Sequence, residues 1–426
     1  MNKRSFFSMC AWAVTLLMTA TLTSCVHEKD EEVAGSGSGE GQLVININST
    51  AVGTTRSTDL NTVADATEKT VSNLVIGIFR PASDATNANA KVEIQTLSSL
   101  NHDLSANNLQ SVTSIARESG SASLSVAAGD VVLAVCNVPA DIVSDLEAAA
   151  TSTAFREVAF SIDNALIFNN DDNAAYANSG TAEAPATLPM YGEGTIAAHA
   201  SITGAFTADV TVRHMVAKVT LNQVKLETTD GSIQFTPTQV FLTRVPQKAD
   251  FKFSDYSNWT YAFNTANTKY YQGEEDFGGS ATDGTQYRDY LSTAALSGTT
   301  LSSANPNYGT KYVFYTMPSD NTTDATVTRL VVKGTWSDDG GATTTTVYYP
   351  IKLSTVSAIG VVGAASIQPN SHYKIDLVIK RAGSSDQATD LSSTNTAQAN
   401  VSFSDWDNQN VTYGFEAVGG DPSATY

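Results

Sequence analysis

The sequence predicts an all-β fold, with two tandem antiparallel β-sandwich domains and few short helices. Apolar residues make up 42% of the 426 residues and charged residues only 16%, so the chain can bury sizeable cores. Its 16 Tyr, 16 Phe and many Val, Ile and Thr residues favour strands. Alternating or fully apolar runs recur along the chain with turn residues between them, whereas helical periodicity is rare.

The chain begins with a predicted secretory signal peptide, residues 1–24. Lys3 and Arg4 precede an apolar run, and small residues then lead to Cys25. The stretch Leu22–Cys25 resembles a bacterial lipobox, in which the cysteine is lipidated and becomes the mature N-terminus. The alternative is an ordinary signal peptide with a chance cysteine.

Residues 25–41 are predicted to be a lipidated, flexible tether. The run His27–Glu32 resembles the acidic tag of surface-directed Bacteroidetes lipoproteins, and its alternative is a solvated charge run. The Gly- and Ser-rich residues 34–41 have no side chains to bury and behave as a flexible coil. They therefore connect the lipid to the fold.

The first predicted strand lies within residues 42–56. Leu43, Ile45 and Ile47 alternate with polar or smaller residues, which is the period of a strand with one buried face. Arg56 follows in a run of small polar residues. Taken alone, this arginine could be a solubilising loop residue.

The next segments predict an N-terminal sandwich over residues 57–198. Residues 71–79 form an apolar run suited to the centre of a sandwich, and residues 123–127 and 131–136 predict a hairpin around Gly129–Asp130. Residues 139–147 predict one short helix. Cys136 lies in an apolar run and is interpreted as a core residue rather than a nucleophile.

A C-terminal sandwich is predicted over residues 199–426. Residues 208–221 alternate over an unusual length for one strand. Further strands are predicted at residues 240–242, 312–315, 328–332, 346–349 and 373–379. Residues 253–307 form a long polar stretch with scattered aromatics. The aromatic residues from Tyr256 to Tyr271 could stack on sugar rings, but aromatic side chains that cover a sandwich edge are the simpler interpretation.

The sequence predicts no catalytic residue, no cofactor and no metal site. The five histidines are scattered, and neither a G-x-S-x-G nor an H-E-x-x-H motif is present. Residues 169–173 carry oxygen ligands, but their spacing does not match a calcium loop and favours a solvated loop. The net charge of -19 argues against nucleic acid as a partner, because phosphates would repel it.

Several segments, taken in order, resemble the fimbrillin family of Bacteroidetes, the lipoprotein precursors of type V pilus subunits. The segments that carry the resemblance are the lipobox at Cys25, residues 43–56, 188–192, 213–219, 370–377 and 401–406. The resemblance implies transthyretin-like sandwiches. It also implies cleavage by a trypsin-like, arginine-specific protease between Arg56 and Ser57, which removes the lipid and the strand that carries Leu43, Ile45 and Ile47.

The C-terminal segment supplies a candidate donor strand for the vacated position. Val411, Tyr413, Phe415 and Ala417 alternate and would face one way. The resemblance implies that such a strand from one subunit completes the sandwich of the next by strand addition. Without it, the two terminal segments could simply pair as edge strands within one monomer.

The resulting expectation is a non-enzymatic, structural subunit of a cell-surface fimbria that serves adhesion. Its expected partners are copies of itself or related fimbrial subunits, the protease, the outer membrane before cleavage, and a host protein or glycan. The alternative is a monomeric surface lipoprotein that binds glycan or host protein through loops such as 253–307. An enzyme is the third hypothesis.

Overall fold

Strands dominate the described part of the chain, as the composition predicts. The computed structural model describes residues 41–49, 68–104, 109–115, 126–165, 188–201, 205–255, 260–261, 270–274, 286–293, 295–296, 298–320, 327–353, 366–386 and 397–405. All of these residues belong to one compact unit. The predicted domain boundary near residue 198 stays a prediction.

The first half of the chain builds an eight-stranded sheet. Its strands are β1 (Gly41–Ser49), β3 (Leu74–Phe79), β4 (Lys91–Leu97), β6 (Leu109–Ile115), β7 (Val131–Cys136), β9 (Met190–Thr195), β10 (Ala197–Ala198) and β11 (Phe206–His214). The order across the sheet is β4-β3-β7-β9-β11-β1-β6, with β10 beside β11. The N-terminal strand therefore lies inside the sheet, and it is not one of its edges.

The second half builds two sheets that pack face to face. The larger sheet contains β12 (Ala217–Leu226), β20 (Asn307–Tyr308), β21 (Tyr312–Thr316), β26 (Ser371–Ile379) and β27 (Ala397–Asp405). The smaller contains β13 (Gln234–Thr243), β23 (Arg329–Ser337) and β24 (Thr345–Lys352). Buried side chains of both sheets join one hydrophobic cluster, so these layers form a β-sandwich.

Short elements complete the described fold. The short strands are β2 (Thr70–Val71), β5 (His102–Asp103), β8 (Phe160–Ser161), β14 (Val245–Pro246), β15 (Lys248–Ala249), β16 (Phe253–Asp255), β17 (Thr260–Tyr261), β18 (Tyr270–Gln272), β19 (Gln286–Tyr287), β22 (Ser319–Asp320) and β25 (Ser366–Ile367). The helices are α1 (Val143–Ala148), α2 (Ser152–Glu157) and α3 (Ile162–Ala165), with a 3-10 turn at Asp289–Leu291. The hydroxyl of Thr151 accepts a 3.1 Å hydrogen bond from the Ala154 N–H and so caps α2, a helix that the sequence analysis did not predict.

Two clusters of buried side chains lie on opposite faces of the eight-stranded sheet. Val75 and Phe79 of β3 join the cluster that continues into the C-terminal sandwich. Ile76 and Ile78 point the other way, into a cluster shared with β1, β7 and β11. Strand β3 is buried along its whole length, so the predicted central strand within residues 71–79 is present from Leu74, whereas Val71 belongs to β2.

The predicted continuous strand at 208–221 is wrong, because the chain changes sheet in its middle. β11 ends at His214 and β12 begins at Ala217. Met215 and Val216 leave the ladder: the Met215 N–H donates to the carbonyl of Pro189, and the Val216 carbonyl accepts from the Asn370 N–H. Both side chains are buried, so the apolar pattern continues through the crossover and hides it from sequence analysis.

Two further expectations differ from the structure. The hairpin of 123–127 with 131–136 is not formed, because both edges of β7 are taken by β3 and β9. The sheets are also not purely antiparallel, since β1 runs parallel to β11 and β12 runs parallel to β26. The predicted short helix is present as α1, which begins at Val143 rather than near Pro139.

Candidate functional site: the groove of the N-terminal strand

Strand β1 occupies a slot between β11 and β6, which we call the β1 groove. It pairs in parallel with β11, from Leu43 opposite Phe206 to Ser49 opposite Val212. It pairs antiparallel with β6, from Gly41 opposite Ile115 to Ile47 opposite Leu109. Both backbone edges of β1 are therefore engaged over most of its length.

The floor of the β1 groove is apolar. Leu43, Ile45 and Ile47 are at most 1% exposed, and the residues between them are only half-buried. They pack into the cluster that also contains Ala208 and Val210 of β11. The strand with one buried face that the sequence predicts is present, and the structure supplies its partners.

The outer face of the β1 groove carries a polar ladder across three strands. Asn46 donates from Nδ2 to Asp209 Oδ1 at 2.8 Å, and Gln110 donates from Nε2 to Asn46 Oδ1 at 3.1 Å. The three residues are direct partners in the sheet register. Asn48, the other asparagine on this face, has a buried Oδ1 with no hydrogen-bond partner.

Strand β6 depends on β1. Among the described strands, β6 pairs with β1 alone, and it forms one end of the sheet. By contrast, β11 also pairs with β9 and β10. Loss of β1 would therefore leave β6 without any described ladder partner, whereas β11 would stay attached to the sheet.

A buried cluster, which we call the Glu68 cluster, fixes the chain where it returns to the described fold. Glu68 Oε1 accepts from Lys218 Nζ at 2.8 Å and from the Tyr315 hydroxyl at 2.7 Å. The backbone carbonyl of Glu68 accepts from Nε2 of His214 at 2.9 Å. Because these partners belong to β11, β12 and β21, the cluster joins Glu68 to strands of both large sheets.

The charge pair in the Glu68 cluster is almost fully buried. The side chains of Glu68 and Lys218 are 1% and 2% exposed. Burial alone would raise the pKa of Glu68, but the Lys218 ammonium and the Tyr315 hydroxyl outweigh it and hold the pKa below its usual value. Glu68 is therefore ionised at neutral pH, and both Lys218 and the Tyr315 hydroxyl donate hydrogen bonds to its carboxylate.

Part of the long polar stretch 253–307 is held against the body of the protein. Asp163 of α3 accepts two hydrogen bonds from Arg288, at 2.8 and 2.9 Å, and one each from the hydroxyls of Tyr271 and Tyr290. The Arg288 guanidinium also lies 4.0 Å from the centre of the Tyr271 ring. Tyr271, which lies in the aromatic-rich stretch 256–271, is therefore engaged with Asp163 and Arg288. That the aromatic residues of this stretch cover a sandwich edge stays a prediction.

Sequence analysis missed the polar residues that organise the site. Asn46, Asp209, Gln110, Glu68 and Lys218 were given no individual role there. Lys218 offered the clearest signal, because it stands inside the apolar strand β12 and is buried there. Cys136 is buried as predicted, and burial raises the pKa of its thiol to about 12, which keeps it protonated.

Several predicted site residues lie outside the described residues. They are Cys25, Arg56, Ser57, Val411, Tyr413, Phe415 and Ala417. The calcium alternative at residues 169–173 lies outside them as well. Within the described ranges, no group of three His, Cys, Asp or Glu side chains could hold a metal ion, and no helix is long and apolar enough to cross a membrane.

The fold and the β1 groove define a class of β-sandwich protein in which the N-terminal strand is an inner strand of its sheet. Residues 214–419 match the family of FimA-like major fimbrial subunit proteins, over the C-terminal domain of that family. The match begins at the last residue of β11, where the chain passes to the second sheet. Over these residues the chain is similar to that family of fimbrial subunits.

Solved structures share the fold at low sequence identity. A candidate cell adhesion protein of Bacteroides eggerthii is 19% identical with a TM-score of 0.56, over 86% of this chain and 96% of its own. A fimbrilin of Porphyromonas gingivalis is 14% identical with a TM-score of 0.56, over 86% and 97%. A candidate cell adhesion protein of Parabacteroides distasonis is 16% identical with a TM-score of 0.53, over 86% and 99%. No curated protein matches the chain.

Proposed function

We propose that this protein is a structural subunit of a cell-surface fimbria that polymerises by donor-strand exchange and serves adhesion. In this proposal the chain reaches the outer membrane as a precursor lipidated at Cys25. An arginine-specific protease then cuts between Arg56 and Ser57. The single observation that carries the proposal is the inner position of β1, between β11 and β6.

An inner strand is a suitable plug because its loss exposes two backbone edges and an apolar surface, which another strand must then cover. Removing β1 opens the inner edges of β11 and β6 and uncovers the apolar floor beneath Leu43, Ile45 and Ile47. Reburying three side chains of that kind contributes roughly 5–9 kcal/mol gross, at about 1.5–3 kcal/mol each. The opened subunit would therefore bind any chain segment that can form a strand between β11 and β6.

The cut would separate the plug from the body while the body keeps its fold. Arg56 lies in the sequence between β1 and the Glu68 cluster. The new N-terminal segment, which begins at Ser57, would stay attached to the folded subunit through Glu68, because Glu68 is bound to Lys218 and Tyr315. Everything before the cut, including Cys25 and the lipid, would leave with β1.

The proposed donor is the segment 411–418 of another copy, or of a related fimbrial subunit. Val411, Tyr413, Phe415 and Ala417 alternate in the way that a replacement for Leu43, Ile45 and Ile47 requires. The last described strand, β27, ends at Asp405. The donor segment therefore follows a strand of the C-terminal sandwich and lies near the end of the chain.

The proposal is tested by cutting the purified precursor and following its assembly. An arginine-specific protease should produce a new N-terminus at Ser57, and ladders that resist SDS should then appear. The Arg56→Lys variant is the matched control, because it should resist this protease and still assemble after trypsin. Deleting residues 411–426 should leave the cut intact and abolish the ladders. A cut protein that stays monomeric with its C-terminus intact would contradict the proposal and support a monomeric surface lipoprotein.

A further inference from the structure

The register of the strand in the β1 groove is not fixed by its apolar floor alone. The floor receives three aliphatic side chains in a row, Leu43, Ile45 and Ile47. A slip of two residues keeps every side chain on its own face and still fills two of these three positions. A strand that enters the groove therefore needs a second feature that marks one register.

The polar ladder on the outer face provides that feature. Asn46 donates to Asp209 and accepts from Gln110, and the two bonds exist only when Asn46 lies directly between them. A slip of two residues in one direction would bring Val44, which cannot form these bonds, to this position. A slip in the other direction would bring Asn48 and would place the polar Ser49 on the apolar floor in the position of Ile47. Asp209 and Gln110 are exposed and belong to the strands that remain when β1 is lost.

We infer that Asp209 and Gln110 set the register of whichever strand occupies the β1 groove, and that Thr412 of a donor segment takes the place of Asn46. The inference rests on the proposed strand exchange. If Val411, Tyr413 and Phe415 face the floor, the outward residues are Thr412, Gly414 and Glu416. When the donor runs opposite to β1, Phe415, Tyr413 and Val411 take the places of Leu43, Ile45 and Ile47, and Thr412 then lies at the position of Asn46.

Thr412, Gly414 and Glu416 would interact differently with Asp209 and Gln110 if each were placed at the position of Asn46. A threonine hydroxyl donates one hydrogen bond and accepts others, so Thr412 can donate to Asp209 and accept from Gln110 as Asn46 does. Gly414 offers no side chain. Glu416 would place a second carboxylate beside Asp209, and like charges directly opposite in a sheet are destabilising.

The test is a competition between synthetic peptides of residues 406–420 during cleavage of the full-length precursor. Wild-type and Thr412→Val peptides are supplied together in excess, and the peptide retained in the folded subunit is identified by mass. Valine keeps the β-branched shape of threonine and replaces its hydroxyl with a methyl group. The wild-type peptide should be retained about threefold to tenfold more, as expected for one or two net hydrogen bonds.

The matched experiment repeats the competition on the Asp209→Ala subunit. The preference for Thr412 should then fall to near one, because the residue that receives its hydrogen bond is missing. A Glu416→Gln peptide should compete equally with the wild type on both subunits.

Each outcome separates this inference from the proposed function. Peptides that enter the groove without preferring Thr412, or a Glu416→Gln preference that depends on Asp209, would overturn the register assignment and leave strand exchange standing. A failure of every peptide to enter would overturn both.

Discussion

Glu68 and Lys218 form an ion pair 2.8 Å apart in the interior of the protein, although 150 residues separate them in the sequence. The pair lies where the chain passes from the first sheet to the second, beside His214 and Tyr315. Two charges are stable in such a place only when each satisfies the other. Together with His214 and Tyr315, the pair therefore connects the chain at Glu68 to both large sheets.

Breaking this pair from one side should destabilise the fold strongly. Lys218→Ala leaves the Glu68 carboxylate buried without its cation, and we expect the free energy of unfolding to fall by about 3–5 kcal/mol. Lys91→Ala is the matched control, because Lys91 is exposed and its ammonium donates to the backbone carbonyl of Glu147 at 3.4 Å. That control should change stability by less than about 1 kcal/mol. Equal losses in urea unfolding of the two variants would show that the buried pair has no special role.

The Glu68 cluster should also make the stability depend on acid pH. Because the folded protein holds the pKa of Glu68 below its usual value of 4.5, the contribution of Glu68 is complete above that pH and is lost as pH falls through the lower folded value. The groups that face Glu68 are Lys218 of β12, Tyr315 of β21 and His214 of β11. The difference in unfolding free energy between the wild type and Glu68→Gln should therefore shrink below pH 4.5.

The matched control for the pH experiment is Asp141→Asn, since Asp141 is exposed. Its difference from the wild type should stay small at every pH. A Glu68→Gln difference that is constant between neutral and acid pH would contradict the assigned coupling.

Gly192 should be intolerant of any side chain. A Cβ on Gly192 would lie within 3.0 Å of the backbone carbonyl of Thr211, so β9 and β11 would have to separate. We expect Gly192→Ala to lower the melting temperature clearly. Gly309→Ala is the control, because nothing lies within 4 Å of a Cβ there. Similar melting temperatures for the two variants would show that the contact between β9 and β11 can relax.

Weakening β1 should loosen β6 before the rest of the sheet. Ile45→Asp places a charge on the apolar floor of the β1 groove, and β6 has no other described ladder partner. Hydrogen exchange should therefore accelerate in residues 109–115 of β6 and stay slow in residues 131–136 of β7, which lies between β3 and β9. Val44→Asp, on the half-buried outer face, is the control and should leave β6 protected. Parallel acceleration in β6 and β7 would show that the sheet opens as one unit.

Predictions that depend on the residue pattern of a single strand are confirmed. Residues 43–47, 74–79 and 373–379 are strands whose buried faces follow from alternation or continuous apolarity. The crossover at Met215 and Val216 was missed because both residues are buried, so the apolar pattern runs through the change of sheet. The hairpin was predicted from proximity in the sequence, whereas β7 pairs instead with β3 and β9.

Three features follow from the amino-acid pattern alone: the chain is built of strands, the strand at residues 43–47 has one apolar face, and Cys136 lies in the core. Each of these follows from the geometry of a single strand, in which successive side chains alternate between two faces. Other features depend on how distant segments come together: β1 lies between β11 and β6, Asn46 contacts Asp209 and Gln110, and Glu68 pairs with Lys218. Those contacts join segments far apart in the chain, and local backbone preferences cannot specify which distant strands will pair.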